Sequence, residues 1–214
     1  PERGTVLSET RAAAAGGVTT MFEMPISKPC CSTPQELSRR RDHFNENAVI
    51  DFALYAAPGD LTDSTRDKMI ELGCIAFKIF TTPPPAGRTD EFEGLAFPEE
   101  ADQLRALYLL AKTGRPLVVH AESASLLAYY EKIAQSLDPS NASTHGKSRP
   151  DICESVAVAK LLAMNIKAQA KLHIAHVSSA QTVKVLRSFL GTSNFTAETC
   201  PQYLFTTEKD VARA

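Results

Sequence analysis

Ile75-Ala76-Phe77-Lys78-Ile79-Phe80 is an apolar run broken by a single lysine. Two later runs repeat the pattern with histidine: Leu117-Val118-Val119-His120-Ala121-Glu122 and His173-Ile174-Ala175-His176-Val177-Ser178-Ser179. Short, nearly continuous apolar runs of this kind read as strands buried on both faces. In each run the polar group falls at or near the C-terminal end. That is the rim on which a parallel α/β barrel carries its chemistry. A lysine and two imidazoles converging there suggest a metal site.

Working outward, strand and helix patterns alternate along the whole chain. A helix over 5–15 stops at Gly16-Gly17, and a strand follows over 18–24. Ser32 or Thr33 caps the next helix, with Pro34 at its first position, and that helix runs to about residue 47. Further strands are expected over 49–57, 74–80, 116–121, 171–177 and 195–200. Helices are expected over 64–72, 98–112, 123–137, 152–164 and 180–190. A proline-rich stretch over 81–94 is long for a βα connection and reads as a rim loop or lid. Residues 138–150 read as a polar loop. Six strands separated by helices mean parallel pairing with crossover connections. With no Gly-x-Gly-x-x-Gly turn, the pattern favours part of a barrel over a dinucleotide-binding sheet. A closed barrel of this type has eight strands, so about one is expected to be missing at each end.

The 214 residues are 43% hydrophobic and 22% charged, with a formal net charge of −2. This balance gives no support for a nucleic-acid or acidic-membrane partner. No apolar stretch approaches the ~20 residues that span a bilayer. The five cysteines form no Cys-x-x-Cys pair, which fits reduced thiols in a cytoplasmic protein. Neither end reads as a natural terminus, so the chain is expected to be a fragment of a longer protein.

Burial of Lys78 would lower its pKa and free the amine as a nucleophile, for a Schiff base, or for carbamate formation with carbon dioxide. A carbamate carries two oxygens and can bridge two divalent cations. The alternative at this position is a lysine that snorkels outward between helices. His120 and His176 suit zinc and similar ions. Glu122 and Ser178, two residues beyond them, could support the ligands or simply cap loops. His173, an odd number of residues from His176, is expected on the opposite face, packed against a helix. His43 and His145 are expected to face solvent.

At this point the motifs resemble those of the cyclic amidohydrolases: allantoinases, hydantoinases, dihydropyrimidinases and dihydroorotases. The matching segments are Thr10 to Thr20, Glu23-Met24-Pro25, Phe77-Lys78, Val119-His120-Ala121-Glu122, Ser148-Arg149-Pro150 with Glu154, His176-Val177-Ser178-Ser179, and Glu198-Thr199-Cys200-Pro201-Gln202-Tyr203-Leu204. They occur in order across nearly the whole chain.

The resemblance implies a (β/α)8 barrel of the metal-dependent hydrolase type, with a centre of two divalent metal ions, usually zinc. By match, Lys78 would be the carboxylated bridging lysine, and His120 and His176 would be ligands of the second metal. The family's His-x-His pair on strand one and its aspartate on strand eight would lie outside the chain. Residues 1–214 would then be a single partial barrel domain holding about strands 2–7, inactive alone.

The reaction implied is hydrolysis of a C–N bond in a small cyclic amide or ureide. Gln202 is the hydantoinase and dihydropyrimidinase form. The absence of a tyrosine in Thr81-Thr82-Pro83-Pro84 and the Asp90-Glu91-Phe92 segment favour allantoinase. Allantoin is therefore the expected substrate, with hydantoinase, dihydropyrimidinase or dihydroorotase activity as alternatives. A non-catalytic relative of dihydropyrimidinase acting as a scaffold is a further alternative, and a Schiff-base aldolase a weaker one. By analogy with the family, the protein would be a homo-oligomer, commonly a tetramer.

Overall fold

The structure, a computed structural model, describes residues 4–138, 140–141, 143–207 and 210. The chain divides into two compact units, one of residues up to Lys78 with Pro84–Leu95, the other of Ile79–Pro83 with residues from Ala96 onward.

In the first unit, helix α1 (Val6–Ala15) starts at a capping box in which Thr5 and Ser8 bond reciprocally. It ends at the expected Gly16-Gly17, with Gly17 at φ +85°. Strand β1 (Thr20–Glu23) pairs in parallel with β2 (Asp51–Ala56), Thr20 opposite Asp51. Helix α2 (Pro34–Asn47) is capped by the Thr33 side chain with proline at its start, as the sequence indicates. Helix α3 (Asp63–Glu71) leads to β3 (Ala76–Phe80), whose Ala76 and Phe77 pair in parallel with Tyr55 and Ala56 of β2.

The proline-rich stretch does not behave as a free lid. Residues 84–95 pack into the first unit and bury Phe92 and Leu95. The Asp90 carbonyl accepts from Cys30 N at 3.3 Å, and its carboxylate pairs with Lys28 at 2.6 Å. Gly59 N donates to Gly94 O at 3.1 Å. A Cβ on Gly94 would stand 2.8 Å from the Gly59 Cα, so this backbone crossing requires glycine.

In the second unit, β4 (Leu117–His120), β5 (Leu172–Ile174) and β6 (Phe195–Ala197) pair in parallel and in sequence order. Leu117 stands opposite Leu172, which stands opposite Phe195. The helices are α4 (Glu100–Ala111), α5 (Ala124–Ala134), α6 (Ser143–Ser148), α7 (Asp151–Ala168), α8 (Ala180–Ser188) and α9 (Gln202–Phe205). Leu107, Leu110, Leu117, Val119, Leu161 and Leu162 are wholly buried and form its core. Each such side chain contributes about 1.5–3 kcal/mol by leaving water.

Asn165 sets the turn from α7 into β5. It is fully buried, donates to Ala170 O and Asn194 O at 3.1 and 2.8 Å, and accepts from Ala170 N at 2.9 Å. Those bonds secure the left-handed C-cap at Gln169, φ +59°.

Two local expectations need correction. The stretch 171–177 is strand only to Ile174, because His176 adopts φ +42°, which ends extended backbone. The polar stretch 138–150 contains α6, which has too few apolar residues to show a helical period in sequence; residues 139 and 142 of that stretch lie outside the described set.

Candidate metal centre

Lys78 lies on β3 in the first unit, 2% exposed, in a strand whose first four residues are all buried. The outward, snorkelling reading is therefore excluded. A lysine held this way is kept from bulk water, which suits an amine meant for chemistry.

The structure brings His120 and His176 together in the second unit. His120 is the last residue of β4, and its ring stacks on Phe80 with centroids 4.6 Å apart. His176 follows β5 after a single intervening residue and meets the His120 ring edge-on at 4.8 Å. His120 Nδ1 and His176 Nε2 are 3.0 Å apart. The other nitrogen of His120, Nε2, faces Glu122 Oε2 at 2.7 Å. A carboxylate there favours a proton on Nε2, so that whenever the ring is neutral its Nδ1 lone pair faces His176. An imidazole whose rear nitrogen donates to a carboxylate is the common arrangement of a metal-binding histidine.

The backbone around His120 is fixed by Thr81, which is buried at the end of β3. Thr81 N donates to His120 O at 3.1 Å, Thr81 Oγ1 donates to Glu122 O at 2.8 Å, and Glu122 N donates back to Thr81 Oγ1 at 2.9 Å. Glu122 also accepts from Arg149 Nη1 at 2.6 Å. Burial pushes the Glu122 carboxyl up, yet the hydrogen bond and charge of His120, with those of Arg149, outweigh it and hold the group below its usual value. Ser178 bonds to Glu154: its N and Oγ donate to Glu154 Oε2 at 3.0 and 2.9 Å. A cavity of about 360 Å³ opens beside the pair, lined by His120, Glu122, His145, Arg149, Glu154 and His176 among others.

The residues present fit part of a divalent-metal site. Two nitrogens bound to one zinc at ~2.0–2.1 Å in tetrahedral geometry lie about 3.3 Å apart, close to the observed 3.0 Å. Among the described residues, no three His, Cys, Asp or Glu side chains converge into a fuller cage.

Arg149 and Glu154 were not assigned roles from sequence. Their partners lie 27 and 24 residues away, and nothing local marks such pairs. His173 Nδ1 lies 2.7 Å from Thr196 Oγ1, the residue opposite it on β6, and its Nε2 lies 3.6 Å from Glu198 Oε2. His43, bonded to Asn47 four residues on, faces solvent as expected. His145 is exposed but borders the cavity.

No protein-family model matches the chain. It is 33% identical over 214 residues to the allantoinase of Solibacter usitatus, covering 95% of this chain and 44% of that protein. The allantoinase of Streptomyces avermitilis is 33% identical over 206 residues, covering 94% and 44%. The solved L-hydantoinase (dihydropyrimidinase) of Arthrobacter aurescens superposes with a TM-score of 0.88 at 25% identity, covering 98% of this chain and 46% of that one. The chain is homologous to the allantoinases and hydantoinases. It spans a little under half the length of these relatives. Its α/β fold, with parallel strands and flanking helices, is that of the corresponding portion of the hydantoinase. No helix among the described residues is long and apolar enough to cross a membrane.

Proposed function

We propose that this chain is the central part of a cyclic amidohydrolase that opens allantoin to allantoate by hydrolysing a ring C–N bond. The observation that carries this reading is the approach of His120 Nδ1 to His176 Nε2 at 3.0 Å with Glu122 behind His120, in a chain 33% identical to two allantoinases. By the family resemblance, His120 and His176 would be ligands of a divalent ion such as zinc, and Lys78, as its carbamate, would be a further metal ligand. Such a pair of ions polarises a carbonyl and lowers the pKa of water, which is the chemistry that cyclic amide hydrolysis needs.

The chain's own residues prepare that chemistry. Glu122 holds His120 in the tautomer that leaves Nδ1 bare. Arg149 keeps Glu122 anionic by charge and hydrogen bond. Phe80, stacked on His120, limits ring rotation and keeps water from one face. The cavity beside the histidines is bordered by polar and charged groups that match the carbonyls and N–H groups of a ureide ring.

A second substrate class, the hydantoins, is favoured by Gln202 and by the likeness to the solved L-hydantoinase. We place the protein in the cytoplasm as a homo-oligomer, a tetramer by family analogy. Assaying the purified full-length protein with allantoin, hydantoin, dihydrouracil and dihydroorotate tests the reading. Turnover of allantoin above the others supports it. Turnover of hydantoin alone moves the assignment to the hydantoinases. No turnover of any ring by a metal-loaded protein refutes an enzymatic role and favours the scaffold alternative.

A further inference from the structure

We infer that Arg149 and Glu154, at the entrance to α7, are positioning residues that lock the two histidines into register with each other. This rests on the proposed reading of His120 and His176 as ligands of one metal ion. Residues 149–154 reach the chain beyond both histidines at once. Arg149 Nη1 donates at 2.6 Å to Glu122 Oε2, the same oxygen that faces His120 Nε2 at 2.7 Å. Ser123 N donates to Cys153 O at 2.8 Å, which fastens the backbone leaving β4 to the first turn of α7. Glu154 accepts from Ser178 N and Oγ at 3.0 and 2.9 Å and from Ser179 N at 3.3 Å, which fastens the backbone leaving β5.

The need for such a clamp is visible at His176. Its φ of +42° is uncommon for a residue other than glycine and carries a backbone cost that the surrounding contacts offset. The hydrogen bonds to Glu154 fall two and three residues further on, where Ser179 caps α8 through Thr182 N at 3.1 Å. The turn 176–179 is thereby held by β5 on one side and by α7 and α8 on the other. One rigid helix start thus sets the position of both imidazoles, and the separation of their facing nitrogens becomes a property of α7. Partners of this kind typically alter metal affinity by about 10–100-fold.

The test is cobalt(II) binding to the full-length protein, followed by its visible ligand-field absorption, with thermal melts of the metal-free proteins in parallel. Glu154→Gln keeps the side chain's volume but removes one of its two acceptor oxygens and its charge. Arg149→Met keeps much of the stem and removes the donors. Each is expected to weaken cobalt binding about 10-fold or more and to alter the absorption band at temperatures where the melts show the metal-free protein still folded. His120→Ala and His176→Ala serve as references. If these two bind cobalt as the wild type does, the reading of the metal site is wrong. If they lose binding while Glu154→Gln and Arg149→Met keep wild-type affinity and spectrum, the clamp is refuted and the site stands. Should Glu154→Gln fail to fold, Ser178→Ala decides. Affinity below wild type supports the clamp, and unchanged affinity overturns it.

Discussion

Glu122 Oε2 stands 2.7 Å from His120 Nε2 and 2.6 Å from Arg149 Nη1. One carboxylate oxygen thus joins the imidazole at the end of β4 to the guanidinium at the start of α7. Glu122 is only 15% exposed, and His120 is 24% exposed. The contacts are therefore stronger than a surface ion pair of the same geometry.

This arrangement makes metal-free stability depend on acid. The Glu122 carboxyl titrates below its unfolded value because the stabilising contacts of His120 and Arg149 exceed the cost of burial. Below that unfolded value, near 4.3 for a glutamate, the unfolded chain binds a proton that the folded one resists. The stabilisation is therefore full above this pH and fades as the pH falls through the folded value. In melts of the apo protein, wild type should exceed Glu122→Gln at pH 6, and the gap should narrow below pH 4. A gap that widens on acidification would contradict the assignment.

Thr81 is expected to be worth more than its size suggests. Its hydroxyl serves both the N–H and the C=O of Glu122, and Thr81→Val would leave both without that partner in a buried turn. The expected cost is about 1–3 kcal/mol in urea unfolding, with weaker metal binding at His120. Stability equal to wild type would show that water replaces the hydroxyl.

Asn165→Ala should lower stability by about 2–4 kcal/mol without touching the site, since its amide serves three backbone groups in the turn from α7 to β5. Urea denaturation with an unchanged m-value is the check. A loss under 1 kcal/mol would mean that the turn is held by the left-handed Gln169 alone.

Residues 1–214 expressed by themselves should self-associate. Phe205 is 84% exposed and Leu204 69% exposed, beside a groove that includes Val183 and Leu186. Apolar groups this exposed mark a contact surface or an aggregation liability. Sedimentation should show oligomers at micromolar concentration that Leu204→Ser with Phe205→Ser reduces. A monodisperse monomer with a cooperative melt would contradict the expectation.

The strand pattern was legible in sequence because each strand is a short apolar run closed by turn residues. Leu117–His120 and Ala76–Phe80 fall inside their expected spans. The helix start at Thr33-Pro34 was legible because capping chemistry is local. What escaped was non-local or conformational. Nothing beside Arg149 announces Glu122, and nothing in His173-Ile174-Ala175-His176 announces that His176 leaves the strand with positive φ. Lys78 was readable as a lysine among apolar residues, but only the structure separates burial from snorkelling.

Metal analysis of the purified full-length protein is the most direct measurement, made on wild type and on Lys78→Ala, His120→Ala and His176→Ala. A two-metal amidohydrolase centre predicts about two divalent ions per wild-type chain, with a clear loss in each variant and restored allantoin turnover only where both ions are present. Wild-type protein that binds no divalent ion, or variants that keep the full complement, would contradict it.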